Sequence, residues 1–163
     1  MLKEKSRKRT LFKIAIALVA PLLMTIVVAN GTANAAWRNG SMFNLASAKC
    51  LDGSGNLLSV WTCNGSAAQV WHDLQSTSSP YYQLADGLGQ CTDGGQGNGL
   101  FSCYLNDNWQ EYSVEKVGSV DGRTYYRFHW ARDNSKCLDG GQTGSNMWFP
   151  CINSDDYQYW SWN

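Results

Sequence analysis

Beyond residue 40 the chain alternates between short apolar or aromatic runs and clusters of turn-forming residues. The runs cover residues 42–46, 57–61, 69–71, 81–85, 100–103, 110–114, 125–129, 147–149 and 158–162. Between them stand Asp-Gly, Gly-Gly and Gly-Asn steps, which favour tight turns. After residue 35 no window of helical length keeps apolar residues at i, i+3 and i+4. Short strands about ten residues apart predict an all-β barrel or sandwich.

The same sequence unit occurs three times. Each copy has a cysteine, an aspartate two residues later, a polar loop, an aromatic two positions before a second cysteine, and then Gln-x-aromatic. The copies begin at Cys50, Cys91 and Cys137, and the two cysteines of each copy are 13, 12 and 14 positions apart. A period of this length marks supersecondary units that bury a core only by packing together. Three copies predict a closed threefold object, with repeats over about 42–80, 81–124 and 125–163.

The six cysteines are predicted to form one disulfide within each repeat. The pairs are Cys50–Cys63, Cys91–Cys103 and Cys137–Cys151. Zinc ligation is the alternative, but zinc sites usually pair cysteines two to four residues apart, and no pair here is that close. In the chain-entropy model each of these disulfides would contribute about 3 kcal/mol of stability.

The first 35 residues have the order of a secretory signal peptide. Six basic residues precede an apolar run over 14–28, and Ala33-Asn34-Ala35 forms a small-x-small cleavage site. A membrane anchor is the alternative, although a run of 15 residues is shorter than the roughly 20 needed to span a bilayer. We therefore predict a secreted domain over 36–163, with no membrane anchor after cleavage.

Charge excludes some partners of that domain. The whole chain has 13 Lys and Arg and 13 Asp and Glu, and the first 35 residues hold six of the basic residues and one acidic residue, Glu4. The predicted domain therefore has 7 basic and 12 acidic residues, a net charge of −5. Such a chain, without a basic run, has little attraction for nucleic acid or an anionic membrane. We expect neither as a partner, and we expect a monomer.

The combination of C-x-D, aromatic-x-C and Q-x-W in three copies resembles the ricin B-type lectin family. The resemblance spans the whole chain after residue 35. It implies a β-trefoil of twelve strands with three lobes, each lobe holding at most one shallow sugar pocket. It also implies carbohydrate binding without a metal. We expect no cofactor, and we expect no catalytic residues because no nucleophile pattern such as G-x-S-x-G occurs.

The resemblance also implies roles for particular residues. The aspartate after the first cysteine would accept hydrogen bonds from sugar hydroxyls, and the aromatic before the second cysteine would stack on the sugar ring. With the glutamine of Q-x-W, the predicted carbohydrate-binding residues are Asp52, Trp61 and Gln69 in lobe 1, Asp93, Phe101 and Gln110 in lobe 2, and Asp139, Phe149 and Gln158 in lobe 3. The family's asparagine just before that glutamine is replaced by Ala68, Trp109 and Tyr157.

Structural roles compete with these functional ones. Asp-Gly favours a tight turn by itself, and the aromatics before the second cysteines suit a core as well as a surface. The glutamines suit hydrogen bonding to backbone inside a barrel, and we expect Trp71, Tyr112 and Trp160 in the core. A protein-interaction or inhibitor module that has lost sugar binding is therefore the alternative function, whereas a glycoside hydrolase lacks facing carboxylates.

Overall fold

The computed structural model describes residues 38–75, 80–95, 99–142 and 147–163. The predicted signal peptide lies outside these ranges and stays a prediction. No helix within the described ranges is long and apolar enough to cross a membrane.

Twelve strands make up the described fold, four in each repeat. They are β1 Asn39–Asn44, β2 Cys50–Asp52, β3 Ser59–Trp61, β4 Val70–Gln75, β5 Tyr82–Asp86, β6 Gln90–Thr92, β7 Leu100–Ser102, β8 Glu111–Val120, β9 Arg123–Trp130, β10 Lys136–Leu138, β11 Trp148–Pro150 and β12 Trp160–Trp162. Single 3-10 turns lie at Ser54–Asn56, Ala67–Gln69 and Asp156–Gln158. The hydrophobic pattern predicted only three strands per repeat, because the fourth is a triplet around the first cysteine, too short to show alternation.

Six of the strands form a closed ring. Antiparallel pairing runs from β1 to β4, β5, β8, β9, β12 and back to β1. The other six form the hairpins β2–β3, β6–β7 and β10–β11, each attached to one barrel strand of its repeat. Closure removes the unpaired edges that an open sheet would expose. A six-stranded barrel with three hairpins is a β-trefoil, as predicted.

The aromatics of the Gln-x-aromatic triplets fill the centre. Trp71, Tyr112 and Trp160 have no exposed surface, which confirms their predicted place in the core. The indole N–H of Trp71 donates to the Leu51 carbonyl at 2.9 Å, and Trp160 repeats this contact in the third repeat. Tyr112 instead donates its hydroxyl to Asp73 Oδ1 at 2.5 Å. The second repeat therefore departs from the threefold pattern because a phenol reaches a different acceptor from an indole.

The three predicted disulfides are confirmed. Cys50–Cys63, Cys91–Cys103 and Cys137–Cys151 are all bonded, and no cysteine is free. In each repeat the first cysteine lies on the first strand of the hairpin, and the second follows the hairpin's other strand. The bond therefore ties the chain after the hairpin back to the hairpin's first strand.

The turn between β8 and β9 extends one barrel end. Asp121 and Gly122 both have positive φ, at 50° and 79°. This is the backbone of a two-residue hairpin turn, for which Asp-Gly is a preferred sequence. Of the two long strands that it joins, β9 carries both Arg123 and Tyr126.

Candidate functional site

In lobe 1 the hairpin register brings Asp52 to the same face as its aromatic partner Trp61. In lobe 1, Cys50 lies directly opposite Trp61 and Asp52 opposite Ser59. Residues two apart on a strand share a face, so Asp52 and Trp61 point to the same side. Both line one pocket of about 360 Å³. The structure therefore brings these two predicted residues together.

Each aspartate is held rigidly and is nearly buried. Asp52 is 3% exposed; its Oδ1 accepts a hydrogen bond from the Ser54 backbone N–H, and its Oδ2 accepts one from Gln69 Nε2, both at 2.8 Å. The turn role expected for Asp-Gly is thus real. An ionised carboxylate has about four lone-pair positions, so these two bonds leave acceptor capacity toward the pocket.

The same arrangement recurs in the other lobes. Asp93 accepts from Gly95 N at 2.8 Å and from Gln110 Nε2 at 3.2 Å, and Asp139 accepts from Gly141 N at 2.8 Å and from Gln158 Nε2 at 3.1 Å. Both aspartates are 4% exposed. Three copies of one geometry follow from three copies of one sequence pattern.

The three glutamines of the predicted site are buried and hydrogen-bonded within the protein. Gln69 is fully buried, and besides its bond to Asp52 it donates to the Thr62 carbonyl at 3.0 Å and accepts from the Asn64 N–H at 2.8 Å. Gln110 and Gln158 are equally buried and make the equivalent bonds. Because hydrogen bonds within the protein occupy both ends of each amide, Gln69, Gln110 and Gln158 have no free end for a sugar. They position the aspartates.

Lobe 1 presents an open, mixed surface. Trp61 is 62% exposed, so the alternative that it packs in the core is wrong. Around it the pocket is lined by polar residues, Ser54, Ser59, Asn64 and Ser66, with Leu57 on one side. An exposed indole plane beside hydroxyl, amide and carboxylate groups can contact an apolar ring face and hydrogen-bond its polar rim.

Lobe 2 is more aromatic. Phe101 is 42% exposed and Tyr104 56% exposed, and both line a pocket of about 310 Å³ with Asp93, Asp107 and Trp109. Trp109 stands where the family has asparagine. Its ring packs against Trp130 at 5.3 Å and under the Arg132 guanidinium at 3.8 Å. The pocket therefore has an aromatic wall at the position of the asparagine in the ricin B-type pattern.

A glycine makes room for that wall. A Cβ added at Gly95 would come within 2.4 Å of the Trp109 ring, and one at Gly141 would come within 2.9 Å of the Tyr157 ring. In lobe 1 the matching positions are Ser54 and Ala68. The sequence signal for this aromatic wall is therefore the joint occurrence of D-G-G and an aromatic residue just before the glutamine. Each motif considered separately does not show it.

Lobe 3 exposes a different ring from the one predicted. Phe149 is only partly exposed, whereas Tyr157 is 43% exposed. Its backbone N–H is capped by Asp155 Oδ1 at 3.0 Å. Residues 143–146, between β10 and β11, lie outside the described residues. Phe149 is therefore the weakest of the three predicted stacking residues.

One cluster of metal-ligand side chains occurs in the described parts of the chain. It joins His129 with Cys137 and Cys151, whose ligand atoms lie within 4.8 Å of one another. Both sulfurs belong to one disulfide, and metals bind thiolates. The cluster is therefore a disulfide beside an imidazole, with His129 also 2.9 Å from Glu115 Oε2.

Comparison with known proteins supports the fold. No protein-family model matches the sequence, and no curated protein matches it significantly. Among solved structures the chain is similar to ThreeFoil, a designed threefold-symmetric protein, at 19% identity and a TM-score of 0.62, over 77% of this chain and 98% of that one. It is also similar to SeviL bound to the asialo-GM1 saccharide, at 16% identity and a TM-score of 0.58, over 76% and 94%.

A third similar structure is a GlcNAcα1-4Gal-releasing endo-β-galactosidase from Clostridium perfringens. It has 16% identity and a TM-score of 0.61, over 76% of this chain and 31% of that one. The match thus covers one part of a longer enzyme chain. At these identities the comparisons establish the β-trefoil fold.

Proposed function

We propose that this protein is a secreted, non-catalytic lectin of the ricin B type, with lobe 1 as its principal carbohydrate site. The observation that carries the proposal is the exposed Trp61 indole beside the fixed carboxylate of Asp52, in one pocket. A β-trefoil neighbour bound to a saccharide is consistent with this use of the fold. By the family resemblance, galactose- or xylose-type glycans are the favoured ligands.

The physical chemistry of lobe 1 matches that of a neutral sugar. A pyranose has an apolar C–H face that lies flat on an indole, and a rim of hydroxyls that need acceptors. Asp52 offers an ionic acceptor, and hydrogen bonds to charged groups contribute about 1.5–3 kcal/mol. Because Gln69 and the Ser54 N–H already hold the carboxylate, little freedom is lost when a ligand binds.

The lobes are expected to contribute unequally. Lobe 1 has the most exposed aromatic of the three predicted stacking residues, whereas Phe101 of lobe 2 is 42% exposed and Phe149 of lobe 3 is partly buried. A shallow pocket binds weakly by itself, and several on one polysaccharide would raise the overall avidity.

The test is retention on galactan- and xylan-type polysaccharides, with an array of glycans to identify the sugar. Wild type should be retained, and Trp61→Ala should lose about tenfold or more in affinity because the burial of an aromatic face is lost. Leu88→Ala is the matched control, since Leu88 is 58% exposed and lies outside the pockets of lobes 1 and 2. Equal binding by wild type and Trp61→Ala would refute lobe 1 as the site.

A protein-interaction or inhibitor module is the second candidate. It is favoured by Ala68, Trp109 and Tyr157, which replace the asparagine of the family at every lobe. Failure of the wild-type protein to bind any glycan, together with a native fold, would support this candidate. Release of sugar from a bound polysaccharide would contradict the non-catalytic assignment.

A further inference from the structure

A further pocket lies at the end of the barrel where the β8–β9 turn meets the start of β1 and the end of β12. It has a volume of about 570 Å³ and is lined by Arg38, Gly122, Arg123, Thr124, Tyr126 and Trp162. It shares no lining residue with the pockets of lobes 1 and 2. Its walls come from parts of the chain far apart in sequence.

Arg38 is fixed in this pocket by two aromatic rings. Its guanidinium carbon lies 4.1 Å from the centre of the Tyr126 ring and 5.1 Å from that of Trp162, and its side chain is only 14% exposed. Stacking on aromatic faces is favourable for a guanidinium. The charge is therefore held in place before any ligand arrives.

The hydrogen-bonding capacity of Arg38 is not used up. A guanidinium carries five N–H donors. The Nε atom forms an ion pair with Asp73 Oδ2 at 3.8 Å, a distance too long for a hydrogen bond. Both Arg38 Nη1 and Asp73 Oδ2 are buried without a hydrogen-bond partner. The other carboxylate oxygen, Asp73 Oδ1, accepts the Tyr112 hydroxyl at 2.5 Å. Arg38 thus keeps unfilled N–H donors beside the pocket, although its charge is paired with Asp73 across 3.8 Å.

A second guanidinium lines the same pocket. Arg123 is exposed, with its guanidinium carbon 4.8 Å from the centre of the Phe43 ring. None of the lining residues is acidic. Residues 38–163 contain 12 acidic and 7 basic residues. Two of these seven basic residues nevertheless line the same pocket.

We propose that this barrel-end pocket binds a small oxyanion, with the two guanidinium groups as its ligands. Guanidinium forms parallel, charge-assisted hydrogen bonds to carboxylate, phosphate and sulfate groups. The oxyanion can arrive as a free inorganic ion or as the acidic group of a sugar. The inference does not depend on the lobe pockets, because none of the lobe 1 residues takes part.

The test follows the protein by NMR, through the indole N–H of Trp162 and the Nε–H of Arg38. Inorganic sulfate, glucuronate and neutral glucose are titrated separately, with sodium chloride holding the ionic strength constant so that general screening does not change. Sulfate, glucuronate or both should give saturable shifts at these two signals, and glucose and chloride should not. Saturation by both identifies a site for any small oxyanion, whereas saturation by glucuronate alone identifies an acidic sugar.

Two variants locate the site. Arg123→Gln should weaken binding about tenfold or more, because one charge-assisted contact is lost, and its exposed position should leave the fold intact. Arg132→Gln makes the same charge change beside Trp109 and should leave the affinity within about twofold. The absence of saturation by either oxyanion would overturn the proposal, as would an equal loss in the two variants.

Discussion

Gln69 is predicted to be a structural residue whose loss destabilises the fold and also weakens sugar binding. The change to test is Gln69→Leu, which keeps the approximate volume and removes both polar ends of the side chain. In the native protein those ends make three hydrogen bonds, to Asp52, Thr62 and Asn64, at 2.8, 3.0 and 2.8 Å. Leucine at this position can make none of them.

The magnitude follows from what each lost partner would face. The bond to Asp52 is buried and involves a charged acceptor, so its loss costs about 1.5–3 kcal/mol. Thr62 and Asn64 are exposed, so water can replace part of the other two bonds, which contribute about 0.5–1.5 kcal/mol each. Allowing for the favourable burial of leucine, we expect a loss of about 2–4 kcal/mol, which corresponds to about 10 °C in Tm for a domain of this size.

The assay is thermal and guanidinium unfolding followed by circular dichroism, with the disulfides intact. Gln90→Ala is the control, because the Gln90 side chain bonds Asn56 at the surface and its loss should change stability by less than about 0.5 kcal/mol. In sugar-binding assays below the unfolding temperature, Gln69→Leu should also bind less tightly, since Asp52 loses its anchor. A Gln69→Leu variant as stable as wild type would refute the structural role. If that variant loses sugar binding but no stability, Gln69 contacts the sugar directly.

Three further predictions test the fold. Gly95→Ala should destabilise the fold by about 1–3 kcal/mol in chemical unfolding, because the added Cβ would lie 2.4 Å from the Trp109 ring. Adding Trp109→Ala to the same chain should remove most of that clash. If the double variant shows no such recovery of the Gly95→Ala loss, the contact is contradicted. Burial raises the pKa of Asp73 above its usual 3.8, so ionising the carboxyl group opposes folding. The Asp73→Asn variant should therefore gain stability relative to wild type as the pH rises above 3.8. A constant difference in stability between the two proteins across a pH series would refute this. Replacing Cys91 and Cys103 by serine should cost about 3 kcal/mol in the same unfolding assay, and an unchanged midpoint would show that the hairpin needs no covalent tie.

Much of the fold was predictable because the chain repeats itself. The spacing of the cysteines identified the three repeats and selected the disulfide pairing, and buried aromatics such as Trp71 followed from the Gln-x-aromatic triplet. The strand β2 was not predicted, because three residues beginning at Cys50 carry no visible alternation. The long reach of β8 to Val120 was also missed, since exposed residues in its second half hide the strand pattern.

The candidate site divides in the same way. Asp52 and Trp61 were expected to meet, and they do so because both lie on one short hairpin, where register follows from local sequence. The place of Trp109 was not expected, because it depends on contact with Gly95, which lies on the far side of a loop. The sequence could not decide whether Gln69 contacts sugar or is structural, for a similar reason. Only the folded structure shows that its amide is buried and already hydrogen-bonded to the protein.

By itself the sequence determined the features that depend on neighbours along the chain: three repeats, three disulfides, and an aspartate and an aromatic within the hairpin segment of each repeat. Only the tertiary structure decided which rings are exposed, which polar groups are already paired, and that Arg38 and Arg123 share a pocket. The physical reason is that hairpin register is set within a few residues, whereas burial and convergence arise when the barrel closes and brings together strands from opposite ends of the chain.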